Sequence, residues 1–303
     1  MIQWSTGVEA ASPSTPEFSE SGSTVEPAIA ERLKAMTKIA EHTLAADGMS
    51  HGQIEHWWSG MGHSAQQARG RPSEIALLRH IVMSTDATGP VRTICEIGMN
   101  AGHSATALLE GLQTTLVEFD LFTLPYSKDV LNALKDRYPG RVHAFVGPSA
   151  LQVPLYASTY RHERGLPLCD VWFVDGEHFH GAWWDMIAAL NVSRDRAVIV
   201  ADDCSPKHPL VQQSWGRLVK LGFIHGSWNW TGIMKGWCVG RYHRDTARLQ
   251  TLLFSPDQAK KLHMKDGISA AYWRDGPDAT ARKYNRTRIG DHRRSIFKEH
   301  RTK

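Results

Sequence analysis

A chain of 303 residues with 42% apolar side chains has ample material for a core, enough for one large domain with appendages. No run approaches the ~20 apolar residues of a membrane span, and Met1-Ile-Gln-Trp-Ser lacks the basic-then-apolar order of a signal peptide, so a cytoplasmic protein with no membrane partner is expected. The formal charge of +4 is uneven: residues 281–303 hold nine Lys/Arg against Asp291 and Glu299, a balance of +7, which leaves −3 elsewhere (+4 less +7) and excludes a basic nucleic-acid surface on the main body.

Residues 1–25 are polar and rich in Ser, Pro and Gly, the composition of a disordered segment. Residues 26–88 read as an N-terminal helical cap or lid. Its first helix, from Glu26 to about Ala46, repeats Ile29, Leu33, Met36, Ile39 and Leu44 at helical spacing. A second amphipathic helix opens at Pro72 and runs to Val82. Between them, His51, His56, Trp57, Trp58 and His63 form a glycine- and aromatic-rich stretch suited to a corner or to the wall of an acceptor pocket.

From residue 89 to 243 strands and helices alternate. Strands are predicted at 91–97, 115–121, 142–146, 170–175 and 197–202, with helices at 102–111, 127–138, 149–163 (broken), 179–190 and 210–221. This β-α-β order predicts an α/β parallel sheet with helices on both faces. Two more strands, 223–230 and 235–242, joined at Thr231-Gly232, predict a closing antiparallel hairpin and seven strands in all. Residues 244–303 are a C-terminal appendage ending in the basic tail. The four cysteines, Cys95, Cys169, Cys204 and Cys238, show no CxxC spacing and read as reduced thiols.

Four features fall at predicted strand ends, where open α/β sheets bind ligands. Glu96-x-Gly98-x-x-x-Gly102 is a strand-to-helix turn whose glycines allow positive φ and close approach of a ligand. Asp120, with Glu118 as second choice, lies at the interval past Glu96 expected of a carboxylate that bonds ribose hydroxyls. Val174-Asp-Gly-Glu-His178 delivers Asp175 and His178 to the next tip, and Val200-Ala-Asp-Asp203 delivers Asp202 and Asp203. Three carboxylates in one pocket repel unless a cation neutralises them, and oxygen-only ligands suit Mg²⁺ or another hard divalent ion. A histidine beside them, titrating near neutral pH, can take a proton from a metal-activated hydroxyl.

These motifs resemble those of class I S-adenosylmethionine-dependent methyltransferases. Within that class, the Asp-Gly-x-His and Asp-Asp signatures are similar to those of metal-dependent O-methyltransferases of the macrolide-sugar and catechol type. The resemblance spans roughly residues 72–242 and implies a Rossmann-like seven-stranded methyltransferase sheet with an antiparallel last pair. It implies that Glu96, Gly98, Asn100, Gly102, Ser104, Asp120, Ser149 and Asp175 line the S-adenosylmethionine site, with Asn100 standing where a glycine is common. It further implies that Asp175, Asp202 and Asp203 hold Mg²⁺, that His178 is the general base, and that Asp185 makes a structural contact. The expected acceptor is a small hydroxylated molecule, a sugar or a catechol-like phenol, with a place in secondary metabolism; Trp183 and Trp184 join the aromatic candidates for its pocket. Association of like chains is compatible with the sequence. An NAD-dependent oxidoreductase is disfavoured by the terminal hairpin, and a nucleic-acid methyltransferase using the basic tail by the carboxylate trio.

Overall fold

The computed structural model describes residues 26–54, 73–83, 90–178, 181–230 and 236–244. The first helix, α1 (Pro27–Ala46), buries Ile29, Leu33, Met36, Ala40 and Leu44, and α2 (Ser73–Met83) buries Ile75, Leu77, Leu78, Ile81 and Val82. Then follow β1 (Thr93–Ile97), α3 (His103–Leu109), β2 (Thr115–Asp120), α4 (Ser127–Arg137), β3 (Val142–Val146), α5 (Ser149–Leu155), β4 (Cys169–Val174), α6 (Gly181–Asn191), β5 (Ser193–Ala201), α7 (Pro209–Lys220), β6 (Ile224–Trp230) and β7 (Trp237–Tyr242). Pro154 sits near the end of α5, and a π-helical turn, Tyr156–Tyr160, follows, which accounts for the broken helix expected there.

The seven strands form one sheet in the order β3-β2-β1-β4-β5-β7-β6. The first five are parallel; β7 runs antiparallel to both β5 and β6, between which it is inserted. Side chains alternate between the two faces. Ile94, Val171, Phe173, Val198 and Val200 join the core under α1 to α4, while Cys95, Ile97, Trp172, Val174, Ile199 and Ala201 join the core under α5 to α7. Near-continuous apolar strands are what a sheet covered on both faces requires. Strand β5 begins at Ser193, ahead of the apolar run, because Cys169 pairs with Ser193 across a bulge in β4 and β5.

The cysteines correct the sequence reading. Cys95 and Cys169 form one disulfide and Cys204 and Cys238 another, so none of the four is a free thiol. The reason is lateral strand order, which spacing along the chain does not display. Strand β1 lies beside β4 and β5 beside β7, which brings the paired Cα atoms to 5.8 and 5.5 Å, within bridging range. With the thiols oxidised, cysteine usage no longer argues for a reducing compartment. No helix among the described residues is long and apolar enough to cross a membrane.

Helix α1 is tied to the sheet's own helices by polar contacts as well as packing. Thr37 Oγ1 lies 2.9 Å from His103 Nε2 at the start of α3, and the Thr43 hydroxyl donates to Asp129 on α4. Burial pushes the His103 imidazole down to about 4. A histidine whose folded pKa lies below its unfolded value binds fewer protons when folded. Its contribution to stability is therefore whole above about pH 6.5 and is lost as pH falls toward 4, about 3 kcal/mol over that window. Denaturant unfolding across pH 4–7 should show the stability difference between wild type and His103→Gln changing with pH by about this amount, since the buried glutamates titrate alike in both; a difference constant with pH would refute it. Thiol titration of the unfolded, unreduced chain should find no thiol, and four after reduction. Reduction should cost about 3–5 kcal/mol per bridge, given loops of 74 and 34 residues.

Candidate active site

The carboxyl ends of β3, β1, β4 and β5 continue their ladder one residue past the strands. Gly147 N–H donates to Asp120, Gly98 N–H to Phe119, Asp175 N–H to Ile97 and Asp202 N–H to Val174, all within 3.0 Å. Gly98, Asp120, Asp175 and Asp202 are thus carried on backbone that is still hydrogen-bonded to the neighbouring strand.

On the β1 side, Gly98 has φ +96° and Gly102 φ +70°. A Cβ on Gly98 would overlap the carbonyl oxygen of Asp175, and one on Gly102 would meet Val130 at 2.7 Å. Glycine is therefore required at both positions for steric reasons. Asn100 also takes positive φ, +50°, and its side-chain oxygen accepts from the Tyr126 hydroxyl at 2.7 Å. The resulting turn is preshaped.

Glu96 and Glu118 stand opposite each other on β1 and β2, both fully buried. Burial pushes Glu96 up to about 7, although bonds from Glu118 and from the Ser104 hydroxyl oppose the rise. Burial also raises Glu118 well above its usual range, reinforced by the charge of Glu96. Burial thus disfavours charge on both carboxyls, and Glu118 belongs to the buried wall of the site. Asp120 is raised by burial too, but backbone N–H groups counteract it: Met99 donates to Oδ2 at 2.8 Å and Phe122 to Oδ1 at 2.5 Å. Those bonds, with a further one from the Asn100 backbone, fix the carboxylate at the rim of the turn.

On the β4–β5 side, Asp175, Asp202 and Asp203 bring carboxylate oxygens within 4.8 Å of one another. Asp203 is fully buried at φ +55°, and the Trp237 indole donates to Asp202 Oδ1 at 2.6 Å from the start of β7. His178 lies between two of these acids, with Nε2 3.2 Å from Asp175 Oδ1 and Nδ1 3.0 Å from Asp203 Oδ2. It is 28% exposed, so its ring reaches the solvent side of the site. Three convergent carboxylates around a polar, half-open space form a donor set that fits a hard divalent ion.

Two residues expected to line the S-adenosylmethionine site, Ser149 and Ser104, also bond acids within the protein. The Ser149 hydroxyl donates to Asp185 Oδ1 at 2.5 Å, and Asp185 Oδ2 accepts from Glu177 N–H at 3.2 Å. Ser149 and Asp185 thus anchor the turn that carries His178, and Ser104 bonds Glu96 from α3. Trp183 is buried under Arg217, whose guanidinium lies 4.2 Å from its ring centre, and Trp184 packs edge-on to Trp183. His51 is exposed just beyond α1, while His56, Trp57, Trp58 and His63 lie outside the described residues, as does the basic tail. Sequence reading missed Trp237 and His208. The ring of His208 lies 5.2 Å from that of His178, and its Nε2 is 3.6 Å from Asp203 Oδ1. The one signal for His208 was its place five residues past Asp203; Trp237 gave none.

The family described as "Methyltransferase domain" matches residues 95–204, a span that runs from β1 through Asp203. No curated protein matches significantly. Among solved structures, the O-methyltransferase from Bacillus cereus in complex with S-adenosylhomocysteine superposes with a TM-score of 0.51 at 15% identity, covering 74% of this chain and 94% of its own. Cofactor-bound Rv0187 from MTB gives 0.52 at 16%, covering 75% and 94%. At such identities the likeness is one of fold, and it agrees with the strand order, the inserted antiparallel β7 and the glycine turn after β1. Residues 95–204 thus match the methyltransferase-domain family, and the sheet around them has the fold of the solved O-methyltransferase.

Proposed function

We propose that this enzyme moves the methyl group of S-adenosylmethionine to a hydroxyl oxygen of a small molecule with adjacent hydroxyls, such as a sugar or a catechol-like phenol. The observation that carries the reading is His178, poised between Asp175 and Asp203 at the tips of β4 and β5 while the glycine turn stands against Asp175. Glu96, Gly98, Asn100, Gly102 and Asp120 form the donor half. Asp175, Asp202 and Asp203 are the residues that would hold Mg²⁺ or a similar hard ion. When bound, the ion supplies charge that lowers the pKa of the acceptor hydroxyl.

The rest falls to the chain's own groups. Asp203, fully buried, holds the Nδ1–H of His178 and so fixes the tautomer with its lone pair on Nε2. That nitrogen takes the hydroxyl proton, the oxygen bonds to the methyl carbon, and the carbon–sulfur bond breaks to leave S-adenosylhomocysteine, a neutral thioether. Asp185 and Ser149 hold the turn that carries the base, and Trp237 turns Asp202 toward its neighbours. The Bacillus cereus relative is an O-methyltransferase in complex with S-adenosylhomocysteine, which favours oxygen as the acceptor atom here.

S-adenosylhomocysteine should raise the melting temperature and NAD⁺ should not; the opposite pattern would end this reading. EDTA should abolish methyl transfer to a catechol or sugar acceptor, with Mg²⁺ restoring it, and activity indifferent to EDTA would remove the metal. His178→Ala should lower turnover ~10²-fold or more with S-adenosylhomocysteine binding intact. Trp237→Phe should raise the Mg²⁺ concentration for half-activation ~10-fold or more, again with S-adenosylhomocysteine binding unchanged. An unaltered Mg²⁺ requirement would show that Asp202 needs no such support.

A further inference from the structure

His208 has no part in the chemistry above, yet it faces the same buried carboxylate as the base. His178, Asp203 and His208 bring one donor atom each within 4.8 Å of one another, drawn from the β4–α6 and β5–α7 loops. Asp203 Oδ2 is 3.0 Å from His178 Nδ1, and Asp203 Oδ1 is 3.6 Å from His208 Nε2. Two donors on one ion with bonds of about 2.1 Å stand about 3.0 Å apart at a right angle and about 3.4 Å apart at a tetrahedral one. The His178 spacing equals the first, and the His208 spacing, to the other carboxylate oxygen, lies about 0.2 Å beyond the second.

The loop that carries two of these donors is pinned. Cys204 is bridged to Cys238 and its N–H donates to Gly236; Ser205 N–H donates to Asp203 and His208 N–H to Ser205. His208 is then the cap residue of α7, held in place by Pro209 at the first helical position. A donor set fixed in this way pays little ordering entropy on binding an ion.

The chemistry of the two neighbouring sets differs. Asp175, Asp202 and Asp203 offer oxygen only, whereas His178, Asp203 and His208 offer two imidazole nitrogens and one oxygen, which suits Zn²⁺, Co²⁺ or Ni²⁺ better than Mg²⁺. We infer that His178, Asp203 and His208 form a second cation position, which takes a borderline transition-metal ion and shares Asp203 with the all-carboxylate set. Its binding stands by itself; its effect on turnover rests on the functional reading above, in which His178 is the base. A metallated imidazole carries its proton on the other nitrogen and has no lone pair left for the acceptor's proton. A transition metal here inhibits methyl transfer while Mg²⁺ supports it.

The test is a Co²⁺ titration of the full chain followed by visible absorption, in wild type, His208→Ala, His208→Asn and Asp202→Asn, each checked for folding by circular dichroism. Wild type and Asp202→Asn should show the intense bands of a nitrogen-containing site of low coordination number, and both His208 variants should bind at least about tenfold more weakly. Equal binding by the His208 variants and wild type, a weak all-oxygen spectrum, or no binding would each overturn the site. Because the titration reads no methyl transfer, it stands or falls separately from the functional reading. In the Mg²⁺-supported assay, micromolar Zn²⁺ should inhibit wild type more strongly than His208→Asn; equal inhibition would overturn the assignment of this site as inhibitory.

Discussion

The backbone of Gly98 lies against the carbonyl of Asp175, leaving no space for even one carbon between them. That approach joins the two halves of the site, because Gly98 belongs to the turn after β1 and Asp175 to the tip of β4. A side chain there would push β4's tip outward and carry Asp175 and His178 with it. Gly176 repeats the constraint one residue later, where a Cβ would meet Ile97 and the carboxylate of Asp185. Catalytic geometry tolerates displacements well under an ångström. The relation of the donor-side turn to the acid cluster is thus set by backbone contact before any ligand arrives.

The second constraint is charge. Glu96, Glu118, Asp120, Asp175, Asp202 and Asp203 all gather at the carboxyl edge of four adjacent strands. Two carboxylates about 4 Å apart repel by about 4 kcal/mol in a typical protein environment. Each acid meets this differently. Burial pushes the two glutamates toward their neutral forms, Asp120 draws on backbone N–H groups, Asp202 on the Trp237 indole, and Asp203 on the imidazole of His178. The acids beside the glycine turn are held by burial and backbone donors, whereas those at the tips of β4 and β5 face the rings of His178, His208 and Trp237.

Much of this was legible in the residues. Apolar runs such as Val171–Val174 and Val198–Ala201 are long enough to name buried parallel strands, and a strand tip followed by Asp-Gly or Asp-Asp is a local signal. The hairpin after α7 announced the inserted strand. Lateral facts were not legible. The disulfides, the Trp237–Asp202 bond and the seat of His208 each join segments whose adjacency is decided by strand order and loop course. Ser193–Arg196 of β5 is polar and was invisible to a hydrophobic pattern, since its pairing follows from the bulge opposite Cys169. Ser149 matched a motif position, but its hydroxyl is directed to Asp185 on α6.

The disulfides also divide the sheet. One bridge stitches β1 to β4, and the other fastens the loop after β5 to β7. With all four cysteines used, the junction of β4 with β5 has no covalent tie. It is also the junction whose two tips carry Asp175 on one side and Asp202 and Asp203 on the other. An ion held among those three acids would lie across the unstitched seam as a third fastener. The metal would then be as much a hinge pin of the sheet as a reagent, and its grip would be felt by the whole barrier to unfolding as well as at the site.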